Sequence, residues 1–269
     1  MPDRPLILIT NDDGIKSKGL RAAAAVCEDL GELLIVAPVV QQSGAGRSMP
    51  PSSEGRIYPE DIEINNHTVV GYGVEATPAQ AVQHGLFEIA TRPVSLIVSG
   101  INYGENIGEG ITVSGTVGAA IEGASLGVPA IAVSRQTERE HYYSHSADLD
   151  FSAAAHYLRR FAEAILQHGL PPGVDLIKIE VPQDATVDTP HRWTRISRQR
   201  YFYPIVPQRR RPDDPGPMGY EIRIDGNTLE PDSDVQAVAV DKVVSITPVT
   251  LDLTARVDFQ QLSAWLEQK

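Results

Sequence analysis

The segment from Leu6 to Pro38 constrains the fold more than any other part of the chain. It opens with an apolar run, Leu6-Ile7-Leu8-Ile9, that lacks polar alternation. Such a run predicts a strand buried on both faces of a parallel sheet. Leu20–Leu30 (LRAAAAVCEDL) consists of good helix formers with no breaker, and Gly31 stands where helix C-termini favour glycine. Leu33–Ala37 is a second apolar run, stopped by Pro38. Strand, helix and strand in this order predict a right-handed crossover and a parallel sheet.

The same grammar continues downstream. Alternating apolar positions at Ile57, Ile62, Ile64, Val69 and Val70 predict antiparallel strands that turn at Asn65-Asn66. Thr77-Pro78 predicts a capped helix over Ala79–Ala90. Leu96–Ser99 and Ile131–Ser134 are two further buried strands, with a helix between them that begins near Ser114 and runs to Leu126. Phe151–His168 is an amphipathic helix, and Leu176–Val181 a strand ended by Pro182. His141 and His145 share the spacing of one helical face but lack a carboxylate-rich partner motif, so they are expected to be exposed or hydrogen-bonded.

From Thr189 to Pro217 the chain is rich in Arg, Tyr and Pro, with little apolar content for a core of its own. This stretch reads as a projecting arm that packs on another subunit, since Tyr and Arg are favoured at interfaces. Tyr220–Ile224 and Lys242–Ile246 read as a strand pair, and Leu262–Leu266 as part of a short final helix. The division is therefore an α/β core over 1–185, followed by an arm, hairpin and helix over 186–269. The core is a Rossmann-like parallel sheet flanked by helices.

The balance of 23 Lys and Arg against 35 Asp and Glu, a net charge of −12, opposes a general nucleic-acid binder, which needs clustered cations. One cysteine, Cys27, excludes an intrachain disulfide and a cysteine-rich metal site, and its place in an alanine-rich helix predicts a small core residue. No signal peptide or membrane-spanning run is apparent, so a cytoplasmic enzyme with no membrane partner is expected.

Chemistry concentrates where the predicted parallel strands end, the edge at which open α/β sheets bind ligands. Asp12 and Asp13 follow the first strand. Adjacent like charges suit a hard cation with oxygen ligands, though a solvated Asn-Asp-Asp-Gly turn is the simpler reading. Ser43-Gly44-Ala45-Gly46 follows the second strand, where its N–H groups and the Ser43 hydroxyl can approach a phosphate, or merely connect elements. This loop lacks both the Walker ending and the dinucleotide fingerprint. Asn102 follows the third strand and offers a neutral carbonyl oxygen, or an Asx turn. Ser114, Gly115 and Thr116 open a helix, where free N–H groups favour an anion or a capping hydroxyl.

Taken together, ILITNDDGI, IVAP with QQSGAGRS, TPAQAV, LIVSGINYGENIG, VSGTVGAAIEGASLGVPAIAVS and DSDVQAVAVDKVVSITPVTLD resemble the SurE family of stationary-phase survival proteins. The resemblance spans most of the chain. It implies a metal-dependent nucleotidase that hydrolyses nucleoside monophosphates, at the 5′ position and with the 3′ position as a further substrate. It implies one Mg or Mn ion per subunit, held by Asp12, Asp13, Ser43 and Asn102, with the loop from Ser114 to Ala119 beside the phosphate and Asn11 preceding the acidic pair. Asp12 and Asn102 are then the expected catalytic residues. Asn11, Gly44, Ser114, Gly115 and Thr116 are expected to bind substrate. The resemblance further implies a homodimer or homotetramer built by exchange of the arm.

Four positions depart from the family pattern. Val39 and Val40 replace an Asp-Arg pair, Ala76 replaces a Gly, and Gln80 replaces an Asp. These departures leave the metal set intact and motivate one alternative, a nucleotide-binding regulatory protein without turnover. A dinucleotide-dependent oxidoreductase is the alternative from strand-helix pattern alone, and the missing glycine fingerprint opposes it.

Overall fold

A computed structural model describes residues 4–138, 142 and 149–268. His141 and His145 lie outside the described residues. The leading run forms β1 (Leu6–Thr10), with every residue buried. The alanine-rich run forms α1 (Lys18–Cys27), capped by the Ser17 hydroxyl, which accepts from Leu20 N. β2 (Glu32–Pro38) lies parallel to β1. β3 (Ile57–Ile64) and β4 (His67–Val74) form the expected hairpin. Asn65 and Asn66 both have positive φ, the geometry that a two-residue hairpin loop requires.

α2 (Pro78–His84) is shorter than the expected helix, because a wider helical turn, Gly85–Ile89, takes over its second half. β5 (Val94–Tyr103) is longer than expected and carries Asn102 within the strand. α3 (Gly115–Ser125), β6 (Ala130–Arg135), α4 (Ser152–His168) and β7 (Leu176–Val181) follow.

Beyond residue 185 come β8 (His191–Trp193), β9 (Phe202–Ile205), β10 (Gly219–Ile222), β11 (Val244–Val249) and α5 (Phe259–Leu266). Here one expectation is corrected. The Tyr220–Ile224 segment does not pair with Lys242–Ile246. β10 pairs antiparallel with β9, while β11 pairs antiparallel with β7 and parallel with β8. The reason is burial. Val244 and Ile246 are fully buried and belong in the main sheet, whereas Glu221 and Ile222 are exposed and suit a small peripheral ribbon.

The nine-stranded sheet has the order β3-β4-β2-β1-β5-β6-β7-β11-β8. Its centre, from β4 to β7, is parallel, and both faces are covered. Ile7 and Ile9 of β1 pack with α1 and α4 on one face. Leu6 and Leu8 pack with α2 and α3 on the other. Full burial of each such side chain contributes about 1.5–3 kcal/mol, so β1 anchors both halves of the core. Cys27 is part of it, and burial pushes its thiol up to about 12. No helix among the described residues is long and apolar enough to cross a membrane.

The chain moves outward from β1 to β2, then returns to place β5 on the other side of β1. This reversal opens a crevice at the C-terminal ends of β1 and β5, the place where a doubly wound sheet binds its ligand.

Candidate active site

Asp12 and Asp13 stand at that crevice, 5% and 4% exposed. The turn beneath them is tied by Asn11, whose Oδ1 accepts from Gly14 N at 3.0 Å and whose Nδ2 donates to Gly14 O at 3.2 Å. Gly14 has φ +98°, so a side chain there is strained. Asn11 is fully buried and shapes the turn.

Asp12 is held from α3. The Thr116 hydroxyl donates to Asp12 Oδ1. The backbone N–H groups of Thr116 and Gly115 also favour the charged Asp12 carboxylate. The helix start therefore carries an anion, and that anion is Asp12. Burial raises the Asp12 carboxyl above the ordinary range, and these bonds work against it. Asp13 accepts from Gln41 Nε2 at 3.0 Å and from Tyr103 N at 3.3 Å. Burial first, and then the neighbouring Asp12 charge, push Asp13 well above the ordinary range. No ion pair among the described residues involves either aspartate.

Gln41 Nε2 also lies 3.0 Å from Ser43 Oγ and 2.8 Å from the Tyr142 carbonyl, so its two hydrogens are shared among three acceptors and one amide positions Asp13 and the Ser43 loop together. Asn102 donates from Nδ2 to Gly104 O at 2.7 Å. That bond fixes the amide with its carbonyl oxygen not engaged by any described residue. Ser114 caps α3 by accepting from Val117 N at 3.1 Å, which leaves its hydroxyl hydrogen to give.

A cavity of about 310 Å³ collects Asp12, Ser43, Gly44, Asn102 and Ser114. Asp13, Gly115 and Thr116 back it through their contacts with Tyr103, Gln41 and Asp12. Asn11 is not among its lining residues. None of the departures from the family pattern lines it. Val39 and Val40 line a separate depression. Gln80 completes a capping box with Thr77 and accepts from Ser53 Oγ at 2.7 Å, so its amide performs a local structural task.

Sequence reasoning missed Glu105, Tyr142, Tyr201, Phe202 and Tyr220. Buried Glu105 lines the cavity and accepts from the hydroxyls of Tyr142, at 3.1 Å, and Tyr201, at 2.9 Å. Phe202 and Tyr220 complete the wall. Nothing local marks these residues, because they come from three separate places: β5's exit loop, the segment between β6 and α4, and a hairpin far along the chain.

The donor set fits a hard divalent cation. Two buried, adjacent carboxylates have no cationic partner among the described residues; Asp12 lines a cavity that also offers neutral oxygens from Ser43 and Asn102, and Asp13 stands directly behind it. Among the described residues no group of three or more His, Cys, Asp or Glu side chains is arranged to hold a metal, so any such site relies on those neutral oxygens.

Fold and crevice together define an α/β protein of the doubly wound class, with two buried aspartates at its topological switch point. The family model for survival protein SurE matches residues 7–203, and the chain belongs to the SurE family. Curated relatives named 5′-nucleotidase SurE include that of Thermococcus gammatolerans, 43% identical over 95% of this chain and 94% of the relative. That of Methanothrix thermoacetophila is 43% identical over 97% and 98%. The crystal structure of the SurE protein from Aquifex aeolicus superposes with a TM-score of 0.72 at 29% identity, covering 98% of this chain and 100% of that one.

Proposed function

We propose that this chain is a divalent-cation-dependent 5′-nucleotidase, which converts nucleoside monophosphates to nucleoside and phosphate. The observation that carries the reading is the buried Asp12–Asp13 pair, of which Asp12 opens with Ser43, Asn102 and Ser114 onto one cavity of about 310 Å³. The names of the SurE relatives support the same activity.

Asp12, Asp13, Ser43 and Asn102 are the residues that would hold the cation, one Mg or Mn per subunit. When bound there, it would supply charge for the phosphoryl oxygens and acidify a water. Asp12 orients the attacking water and accepts its proton. Gly115 and Thr116 act on the substrate through Asp12, which they fix. The Ser114 hydroxyl, the second amide hydrogen of Asn102 and the N–H groups around Gly44 bind the phosphoryl oxygens, where charge grows in the transition state. Asn11 serves the substrate indirectly, by holding the turn that carries the acidic pair. Hydrolysis of 3′-monophosphates at the same site belongs to this reading.

The reading extends to assembly as a homodimer or homotetramer. α5 buries no residue on its own chain, and Phe259, Trp265 and Leu266 are exposed. An apolar helix with no cover of its own supports a C-terminal segment that packs on a partner subunit.

Phosphate release from a panel of 5′- and 3′-nucleoside monophosphates, with Mg or Mn and with chelator, tests the function. Turnover is expected with metal and not with chelator. Unchanged turnover in the double variant Asp12→Asn, Asp13→Asn would overturn the reading.

A further inference from the structure

The cavity's lining is of two chemical kinds. Asp12, Ser43, Asn102, Glu105 and Ser114 are polar, and Phe202, Tyr220 and Val113 are aromatic or apolar. A nucleotide has the same polarity, with its charge at one end and a flat aromatic base at the other. We propose that Phe202 and Tyr220, on the β9–β10 hairpin, form the platform on which the substrate's nucleobase stacks. The proposal rests on the nucleotidase reading and assigns the selectivity for nucleotides over simple phosphate esters to this hairpin.

The two rings are held in place before any ligand arrives. Phe202 and Tyr220 meet edge to face, with centroids 5.1 Å apart and planes at 81°. Phe202 meets Tyr201 in the same way, at 4.7 Å and 81°. Such pairs favour defined ring orientations. Antiparallel pairing of Tyr220 with Pro204, and of Ile222 with Phe202, sets the register that brings the rings together.

The hairpin is also tied to the catalytic loop. Tyr201 is buried, and its hydroxyl donates to Glu105, three residues beyond Asn102. Tyr142 donates to the same carboxylate. Phe202 and Tyr220 are themselves only half-buried, so ring surface remains for a ligand. A base stacked there contributes binding whatever its hydrogen-bond pattern, since every base has a π-face. The platform therefore discriminates base from no base more than one base from another.

The test compares adenosine monophosphate with ribose 5-phosphate, which has the same phosphoester but no base. The readout is the ratio of their kcat/KM values. In Phe202→Ala, Tyr220→Ala and the double variant, this ratio is expected to fall on the order of tenfold or more, mostly through KM for the nucleotide. Tyr220→Phe, which keeps the ring, is expected to restore it. A ratio unchanged in the double variant overturns the proposal, as does a fall that Tyr220→Phe fails to rescue. Calorimetric binding of adenosine monophosphate separates this from the parent reading. If wild-type protein shows no hydrolysis, the nucleotidase reading fails. Binding that is then lost in the double variant still supports the platform, and binding that is equal or absent in both proteins overturns it.

Discussion

Gly115 packs against Asp12 so closely that a Cβ at position 115 would lie 2.7 Å from Asp12 Cβ and 2.8 Å from its Oδ2. The helix that supplies Thr116 and the N–H groups to Asp12 can approach only because residue 115 has no side chain. Both contacts are local to the carboxylate on which the proposed chemistry depends.

Gly115→Ala is therefore expected to displace Asp12 while leaving the fold intact. A displacement near 1 Å at a reacting group costs about 100-fold in rate. Steady-state kinetics should show that loss mainly in kcat, with far-UV circular dichroism unchanged. Wild-type kcat in Gly115→Ala would show that the position of Asp12 is not critical.

The acidic pair sets stability against function. Both carboxyls are raised in the folded chain, first by burial. Protonation therefore favours the folded state. Without metal, the contribution of the pair is complete below the ordinary aspartate range and is lost as pH rises through the raised values. Asp13→Asn in chelator at neutral pH is expected to raise the melting temperature while abolishing hydrolysis. For the wild type, adding Mg or Mn should recover stability by mass action. A melting temperature insensitive to both metal and substitution would count against cation binding by this pair.

Lys178, Glu180 and Asp234 form a fully buried charged cluster behind the same site. Lys178 Nζ donates to Asp234 Oδ2 and to Asn106 O, each at 3.0 Å, and Glu180 Oε2 accepts from Asn106 N at 2.9 Å. The cluster thus fixes the loop that carries Glu105 and Asn106 into the cavity. Burial would lower Lys178, and the two carboxylates reverse this and hold it raised. Burial pushes Glu180 up to about 7, against the pull of Lys178. With its folded value raised, the stability tied to Glu180 is complete below the ordinary glutamate range and is lost as pH rises through about 7. Urea unfolding at about pH 5 and about pH 8 should show this loss in wild type and a smaller one, by roughly 1–3 kcal/mol, in Glu180→Gln. Lys178→Met leaves two buried carboxylates without their cation and is expected to cost about 3–5 kcal/mol. Wild-type stability in Lys178→Met would remove the cluster from the forces holding the loop.

The C-terminal segment offers a separate measurement. Leu253, Phe259, Trp265 and Leu266 are all exposed on this chain. Deleting the residues after Thr254 is expected to reduce the molar mass measured by light scattering to that of a smaller assembly, with little change in monomer secondary structure beyond the loss of α5. An unchanged mass would show that α5 does not hold subunits together.

Local signals carried far in this sequence. The fully apolar run of β1, the Asn65-Asn66 loop and the caps at Thr77 and Ser114 each depend on residues a few positions apart, and each forms as expected. The repeated strand-helix order was enough to bring Asp12, Ser43, Asn102 and Ser114 to one edge, because a parallel sheet delivers every strand end to the same side. What the sequence could not determine was who meets whom across long separations. Thr116 gives its hydroxyl to Asp12, Tyr201 reaches Glu105, and β11 inserts beside β7 while β10 turns away to β9. Those partnerships follow from shape and burial summed over the whole core. A local window of residues holds no record of them, so only the tertiary structure decided which acid the helix start would serve and which aromatic rings would close the cavity.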